Sequence, residues 1–415
     1  MILYTSNKEK VILSEEPLAA GGEGEVRRIE SCPSRFTNVC AKLYFKKGQT
    51  KDQERKIRFM VDNPPSTIVG KGMMLAWPLE TLHYDTGGFA GFIMPTAFPG
   101  SKKLVILTLP TIKKSYKTEW YKFDKERDIK TALVSRLKLI NNIAIPIHKL
   151  HATGKYVLKD FKPDNVLVTP QGMITIVDMD SIQICENGMV LFPGTAATAD
   201  YMPPEFYTKK VGLDRNVPLD KSWDNFAVSE VFYQLLFGLK PYAVIPKADD
   251  EDSNTIPYCI AHNLFPFGDH ASLIAKIPDP HKNFHIIPSA VRDLFIRAFG
   301  DDPKNRPQVM EWGRTINNEL RSMPAPSSLT QSELEEEGRK RKETEEKRRQ
   351  EEARERIEAS EEACREAAEI RRKIEEKYKR KKEEEAQRPR FCRKCGNPLK
   401  HDAMFCNKCG TKINR

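Results

Sequence analysis

In the stretch Leu158–Asn165 (LKDFKPDN) and the following Val177–Asp180 (VDMD), the side chains of Asp160, Lys162, Asn165 and Asp178 stand two, three and thirteen residues apart. Moving a phosphoryl group requires a carboxylate to orient the attacking hydroxyl, a cation on the transferring phosphate and oxygen ligands for magnesium. These four residues supply that set. Taken alone, D-x-K-x-x-N could equally be a surface turn, so the elements around it carry weight. A second set lies near the C-terminus, where Cys392, Cys395, Cys406 and Cys409 form two C-x-x-C pairs with ten residues between them. Four thiolates at about 2.3 Å close a tetrahedron around Zn2+ with no open position, which is a structural rather than a catalytic site. A redox C-x-x-C is the alternative. The glycine after each pair, Gly396 and Gly410, frees backbone N–H groups toward the sulfurs, and Phe391 and Phe405 are expected to pack against the zinc core. His401, inside the hairpin, reads as exposed rather than as a ligand.

Alternating, β-branched runs come first: Val11–Leu13, Glu25–Ile29, Val39–Phe45, Leu79–Tyr84 and Gly91–Met94, interrupted by a helical pattern over Lys51–Val61. From about Thr131 the apolar period turns helical, through Leu133, Leu137, Ile140, Ile147 and Leu150. Short strand patterns at Val166–Val168 and Ile174–Val177 precede long helices at Asp224–Phe237 and Val291–Phe299. A strand-rich half followed by a larger helical half predicts an α+β fold of two lobes, about 1–95 and 96–322, with a cleft between them. A Pro/Ser linker spans 323–331 and a charged helix 332–388, which is either a solvated single helix or a weak coiled coil pairing two chains. A zinc ribbon over 391–412 follows.

The net charge of +10 permits acidic protein, anionic membrane or nucleic acid as a partner without choosing among them. No apolar run is long enough to span a bilayer and the first residues lack a signal-peptide pattern, so no membrane role is expected. Five scattered cysteines (Cys32, Cys40, Cys185, Cys259, Cys364) fit reduced thiols, and the expected location is cytoplasmic.

The catalytic stretch resembles the protein kinase family, whose loop reads H-R-D-L-K-x-x-N and whose metal loop reads D-F-G at the same separation. The resemblance extends in order over residues 10–320. Ala19–Val26 (AAGGEGEV) is similar to the glycine-rich loop, Val39–Lys42 to the strand bearing the phosphate-anchoring lysine, and Thr198–Glu205 to the end of an activation segment. Asp302–Pro307 is similar to the late D-P-x-x-R-P motif, which implies a buried ion pair between Glu205 and Arg306. By that resemblance Asp160 is the catalytic base, Lys162 meets the γ-phosphate, and Asn165 and Asp178 hold Mg2+. Gly21, Gly22, Gly24, Val26, Lys42, Met94 and Leu167 take ATP, with Cys40 or Ala41 beside the adenine and Glu54 as the acidic partner of Lys42. The implied activity is that of a bacterial-like Ser/Thr protein kinase, with Lys162 the residue that marks Ser/Thr acceptors. Departures stand at Ala19 for the first glycine, Leu158 and Lys159 for the H-R pair, and Asp180 for the D-F-G glycine. Asp180 reads as a solvated turn residue, with an extra metal ligand as the alternative. Lysine at 159 loses an arginine's bidentate grip on a phosphorylated segment, which implies activity without such phosphorylation. Two other readings remain: a nucleotide-binding pseudokinase scaffold, and a kinase recruited to nucleic acid by its ribbon. The basic residues Arg393, Lys394, Lys400, Lys408, Lys412 and Arg415 suit either protein docking, which is preferred, or phosphate contacts.

Overall fold

A computed structural model of the chain describes residues 1–323 except 196 and 249–252, residues 390–413 except 401 and 402, and five isolated positions between them. The charged segment, its coiled-coil reading, Cys364 and His401 lie outside the described residues. The chain divides into two units, Met1–Ser328 and Leu329–Arg415.

In the first unit, strands β1 (Ile2–Thr5), β2 (Lys10–Ala20), β3 (Gly24–Ser31) and β4 (Val39–Tyr44) precede helix α1 (Lys51–Asp62). After them come β5 (Met73–Leu75), β6 (Glu80–His83) and β7 (Phe89–Pro95). Six of these close a barrel in the order β1-β2-β3-β4-β7-β6. Period-two alternation sorts the side chains of β4: Ala41 and Leu43 fill the barrel with Leu3, Val11, Leu82 and Ile93. Cys40, Lys42 and Tyr44 therefore point to the other face, toward the cleft. Pairing of β4 with β7 sets Cys40 opposite Met94 and Lys42 opposite Phe92.

The helical half is built on α2 (Ile129–His151), capped by the Asp128 carboxylate, and α3 (Ser222–Phe237), in which every residue from Trp223 to Phe237 is buried. Between them, β8 (Val166–Val168) and β9 (Ile174–Ile176) form an antiparallel hairpin whose open end carries Asn165, just before β8, beside Asp178, just after β9. β5 from the strand-rich half pairs parallel with β9 and extends its sheet. Helices α4 (Ser289–Ala298) and α5 (Val309–Ser322) complete the half. The ion pair between Glu205 and Arg306 is formed, bidentate at 2.7 Å for both contacts, with the Arg306 side chain 1% exposed.

The loop Leu158–Asn165 is held from beneath by α3. The fully buried Asp224 carboxylate accepts the N–H of Leu158 at 2.8 Å and of Lys159 at 3.1 Å, and its Oδ2 lies 2.8 Å from His151 Nε2. Trp223 Nε1 donates to the Lys159 carbonyl at 3.1 Å. Lys159 has φ +63°, a left-handed conformation that a lysine keeps only when its surroundings fix it. Asp224→Ala would leave two backbone donors and a histidine without their acceptor in a dry site. It is expected to cost about 3–5 kcal/mol of stability, as a shift in the denaturation midpoint would register.

In the second unit, β10 (Arg390–Phe391) and β11 (Pro398–Leu399) pair antiparallel, Arg390 opposite Leu399. With strands of two residues there is no room for an apolar core. Phe391 and Phe405 are 57% and 54% exposed, so they do not pack inward as expected. The reason is the alternation of extended chain: each precedes a buried cysteine, Cys392 or Cys406, and faces the opposite way.

Candidate active site and zinc centre

A cleft of about 690 Å3 lies between the halves of the first unit. Its apolar end is lined by Val26, Cys40, Met94 and Leu167, its polar end by Lys42, Asp160, Lys162, Asn165 and Asp178, and its roof by Gly21, Gly22 and Gly24. The three glycines differ in purpose. A Cβ on Gly24 would sit 2.1 Å from the Leu43 carbonyl oxygen, so close strand packing requires glycine there. A Cβ on Gly22 would meet nothing within 4 Å, and one on Gly21 only an oxygen at 4.0 Å. Those two positions leave open space beside backbone N–H groups, as a phosphate chain needs.

At the cleft floor, Asp160 is buried and both its oxygens are engaged: Oδ2 accepts from Lys162 Nζ at 2.8 Å and Oδ1 from the Thr198 hydroxyl at 2.7 Å. Lys162 also donates to Thr198 Oγ1 at 2.8 Å. A hydroxyl thus fits against this carboxylate with an ammonium beside it. Asn165 Nδ2 donates to the Asp160 carbonyl at 3.0 Å, which fixes the amide and leaves its Oδ1 available to a cation. Asp178, at φ +61°, keeps its side chain 35% exposed toward the cleft. The donor set Asn165 and Asp178, both oxygen ligands, fits Mg2+.

Lys42 departs from the expected pairing. Its ammonium lies 2.8 Å from Asp178 Oδ1 and 2.7 Å from Asp180 Oδ1, whereas Glu54 accepts from Arg58 at 2.8 Å and stands 4.0 Å from His83. Glu54 is one residue out of phase: α1 turns Gln53, Lys56, Ile57 and Met60 inward and points Glu54 aside. Asp180 is not a solvated turn residue either. It is 1% exposed, and its Oδ2 accepts from Tyr44 at 2.5 Å, while Gln53 Nε2 donates to that tyrosine oxygen at 2.7 Å. Burial opposes the charge on Asp180, yet Lys42 more than offsets it and its pKa is lowered. Burial likewise opposes the charge on Lys42, and Asp180 and then Asp178 reverse this, so its pKa is raised. Gln53, Lys56 and Tyr44 escape motif reading. Lys56 had one signal, a lysine on the apolar stripe of an amphipathic helix.

In the ribbon the four cysteine sulfurs lie within 4.8 Å of one another, with Cys392–Cys409 at 3.5 Å and Cys395–Cys406 at 3.6 Å. Bonds of about 2.3 Å in a tetrahedron put sulfurs about 3.8 Å apart, so the set fits zinc. The two halves repeat each other: Gly396 N–H donates to the Cys392 carbonyl and Gly410 N–H to that of Cys406, at 2.8 and 2.9 Å, with both glycines at positive φ. The Thr411 side chain and N–H lower the Cys409 thiol to about 6, whereas at Cys395 the pull of the Asn397 N–H is outweighed by the Cys409 sulfur and burial and the thiol is raised.

The two-lobed fold and this cleft have the architecture of a protein kinase domain, and the second unit has the four-cysteine arrangement of a zinc ribbon. A protein kinase domain model matches residues 100–315, just over half of the chain, and a zinc-ribbon domain model matches 391–413. The chain therefore belongs to the protein kinase family. It is similar to protein kinase YegI of Escherichia coli K12, 27% identical over 324 residues, which are 76% of this chain and 46% of that protein. It is also similar to mouse serine/threonine-protein kinase 16, 25% identical over 221 residues, 51% of this chain and 64% of that one. The chain thus spans about half the length of YegI.

Proposed function

We propose that this chain is an ATP- and magnesium-dependent kinase that phosphorylates serine or threonine hydroxyls of a protein substrate. The observation that carries the reading is the contact of Asp160, Lys162 and the Thr198 hydroxyl at the floor of a nucleotide-sized cleft. In this reading the base lies against Val26, Cys40, Met94 and Leu167, and Lys42 leaves Asp178 to hold the nucleotide's phosphates. Asn165 Oδ1 and the Asp178 carboxylate hold Mg2+, which supplies charge neutralisation to the phosphate oxygens when bound. Asp160 orients the acceptor hydroxyl in line with the phosphorus and takes its proton, and Lys162 balances the charge on the transferring group.

Lys159 donates to the Gly194 carbonyl at 3.3 Å, so the residue in place of the family's arginine is tied to segment backbone. This favours activity without segment phosphorylation, and phosphatase-treated enzyme is expected to keep its turnover. The zinc ribbon serves as a docking module: Phe391, Met404 and Phe405 are exposed beside its basic residues, a surface suited to a protein partner. Among the described residues no helix is long and apolar enough to cross a membrane. Acceptor identity is tested by phosphoamino-acid analysis of a labelled generic protein substrate. Label on serine and threonine is expected, and label confined to tyrosine would overturn the assignment.

A further inference from the structure

Lys56 is a buried charge in the first unit that no role above absorbs. It lies on the inward face of α1 with Ile57 and Met60, is 3% exposed, and its ammonium has no hydrogen-bond partner. Burial lowers it to about 8; Asp180 and then Glu23 oppose that fall, while Lys42 adds to it. Gln53, three residues earlier on the same face, reaches the Tyr44 hydroxyl that in turn donates to Asp180. Lys42 thus meets Asp180 from the sheet, and Lys56, on the same inward face of α1 as Gln53, lies close enough to feel the charge of that carboxylate.

In the cleft Lys42 serves two carboxylates at once, Asp178 and Asp180. Nucleotide binding as described above turns Lys42 to the phosphates and Asp178 to the metal. Asp180, 1% exposed, would then keep the Tyr44 hydroxyl and at most a share of Lys42, and a buried carboxylate short of its cation is strongly disfavoured. Among the described residues, Lys56 carries the buried ammonium without a partner that can answer this. We propose that Lys56 is a positioning residue of the nucleotide site: its ammonium takes over the Asp180 carboxylate as Lys42 turns to the phosphates, tying α1 to the loop that carries Asp178. The polarity is the reverse of the family pattern, since the helix brings the cation and the metal loop brings the carboxylate. This inference rests on the kinase reading for the direction in which Lys42 turns.

The test uses the full chain with Lys56→Met, Lys56→Arg, Asp180→Asn and the Lys56→Met/Asp180→Asn double variant. Three quantities are read: ATP-dependent turnover, the thermal shift induced by magnesium-ADP, and the melting temperature without nucleotide. Loss of a charged partner on binding predicts a KM for ATP raised on the order of 10- to 100-fold in Lys56→Met with kcat much less affected. Lys56→Arg, which keeps the cation, should recover most of the loss. The nucleotide-free melting temperature of Lys56→Met should stay level or rise, because an unpaired buried ammonium is gone. In the Asp180→Asn background the Lys56→Met change should cost less than about threefold. Wild-type KM in Lys56→Met, or a loss of nucleotide-free stability that tracks the loss of activity, would overturn the proposal. So would Lys56→Met and Asp180→Asn effects that simply multiply. The ADP shift needs no turnover. A wild type that shifted with ADP but transferred no phosphate would refute the kinase reading alone, while loss of the shift in Lys56→Met would support the role of Lys56 and its persistence refute it.

Discussion

An Asp160→Asn chain is expected to transfer phosphate about 10²–10⁴-fold more slowly than wild type while keeping its fold and its affinity for nucleotide. Asparagine has the shape of aspartate; its one amide oxygen can still accept from Lys162, while its Nδ2 donates to the Thr198 oxygen, whose own proton turns elsewhere. Asn165 is held by the backbone carbonyl of residue 160, so the metal-facing amide does not depend on the side chain that changes. What is lost is the negative charge and the basicity that draw the acceptor's proton. Single-turnover rates beside a magnesium-ADP thermal shift separate the two effects. A variant within about threefold of wild-type turnover would remove Asp160 from the role of base.

Zinc removal should have an effect of comparable size on the second unit. Among the described residues, two strands of two residues and outward-facing phenylalanines provide no apolar core, so a few hydrogen bonds and the metal must hold the ribbon together. Structural zinc of this type contributes about 10–16 kcal/mol of apparent binding energy near neutral pH, so its loss unfolds the domain. The expected content is one zinc per chain. A strong chelator, or Cys395→Ser, should collapse the dispersion of the ribbon's amide resonances and expose residues 390–413 to protease. Turnover on a small peptide acceptor should persist, since the ribbon is assigned a structural site and no part in the chemistry. Dispersed ribbon resonances in metal-free protein would refute the zinc assignment.

Readings that depend on local spacing were legible in the sequence. The hairpin between Asn165 and Asp178 is fixed by the short strands around it, and the lysine of β4 by the two-residue alternation that also sends Ala41 and Leu43 into the barrel. What escaped depends on phase or on distance along the chain. Glu54 and Gln53 are neighbours, and one step around a helix separates a residue facing Tyr44 from one facing Arg58. Asp180 stands 138 residues from Lys42, and no local pattern announces that a loop residue will be buried against a distant strand. The exposure of Phe391 and Phe405 was within reach, because a buried cysteine fixes which way its neighbour must face. Thr198 was placed in a motif but not at Asp160, a contact that only the folded segment creates.

Magnesium-dependent transfer of the terminal phosphate of ATP is the reaction expected of this cleft. It is tested most directly with γ-labelled ATP, a generic protein acceptor, and wild-type and Asp178→Asn chains with and without magnesium. Label on the acceptor only with wild type and magnesium is the expected result. Label that persisted in Asp178→Asn or without magnesium would contradict it, and so would a wild type that left the acceptor unlabelled.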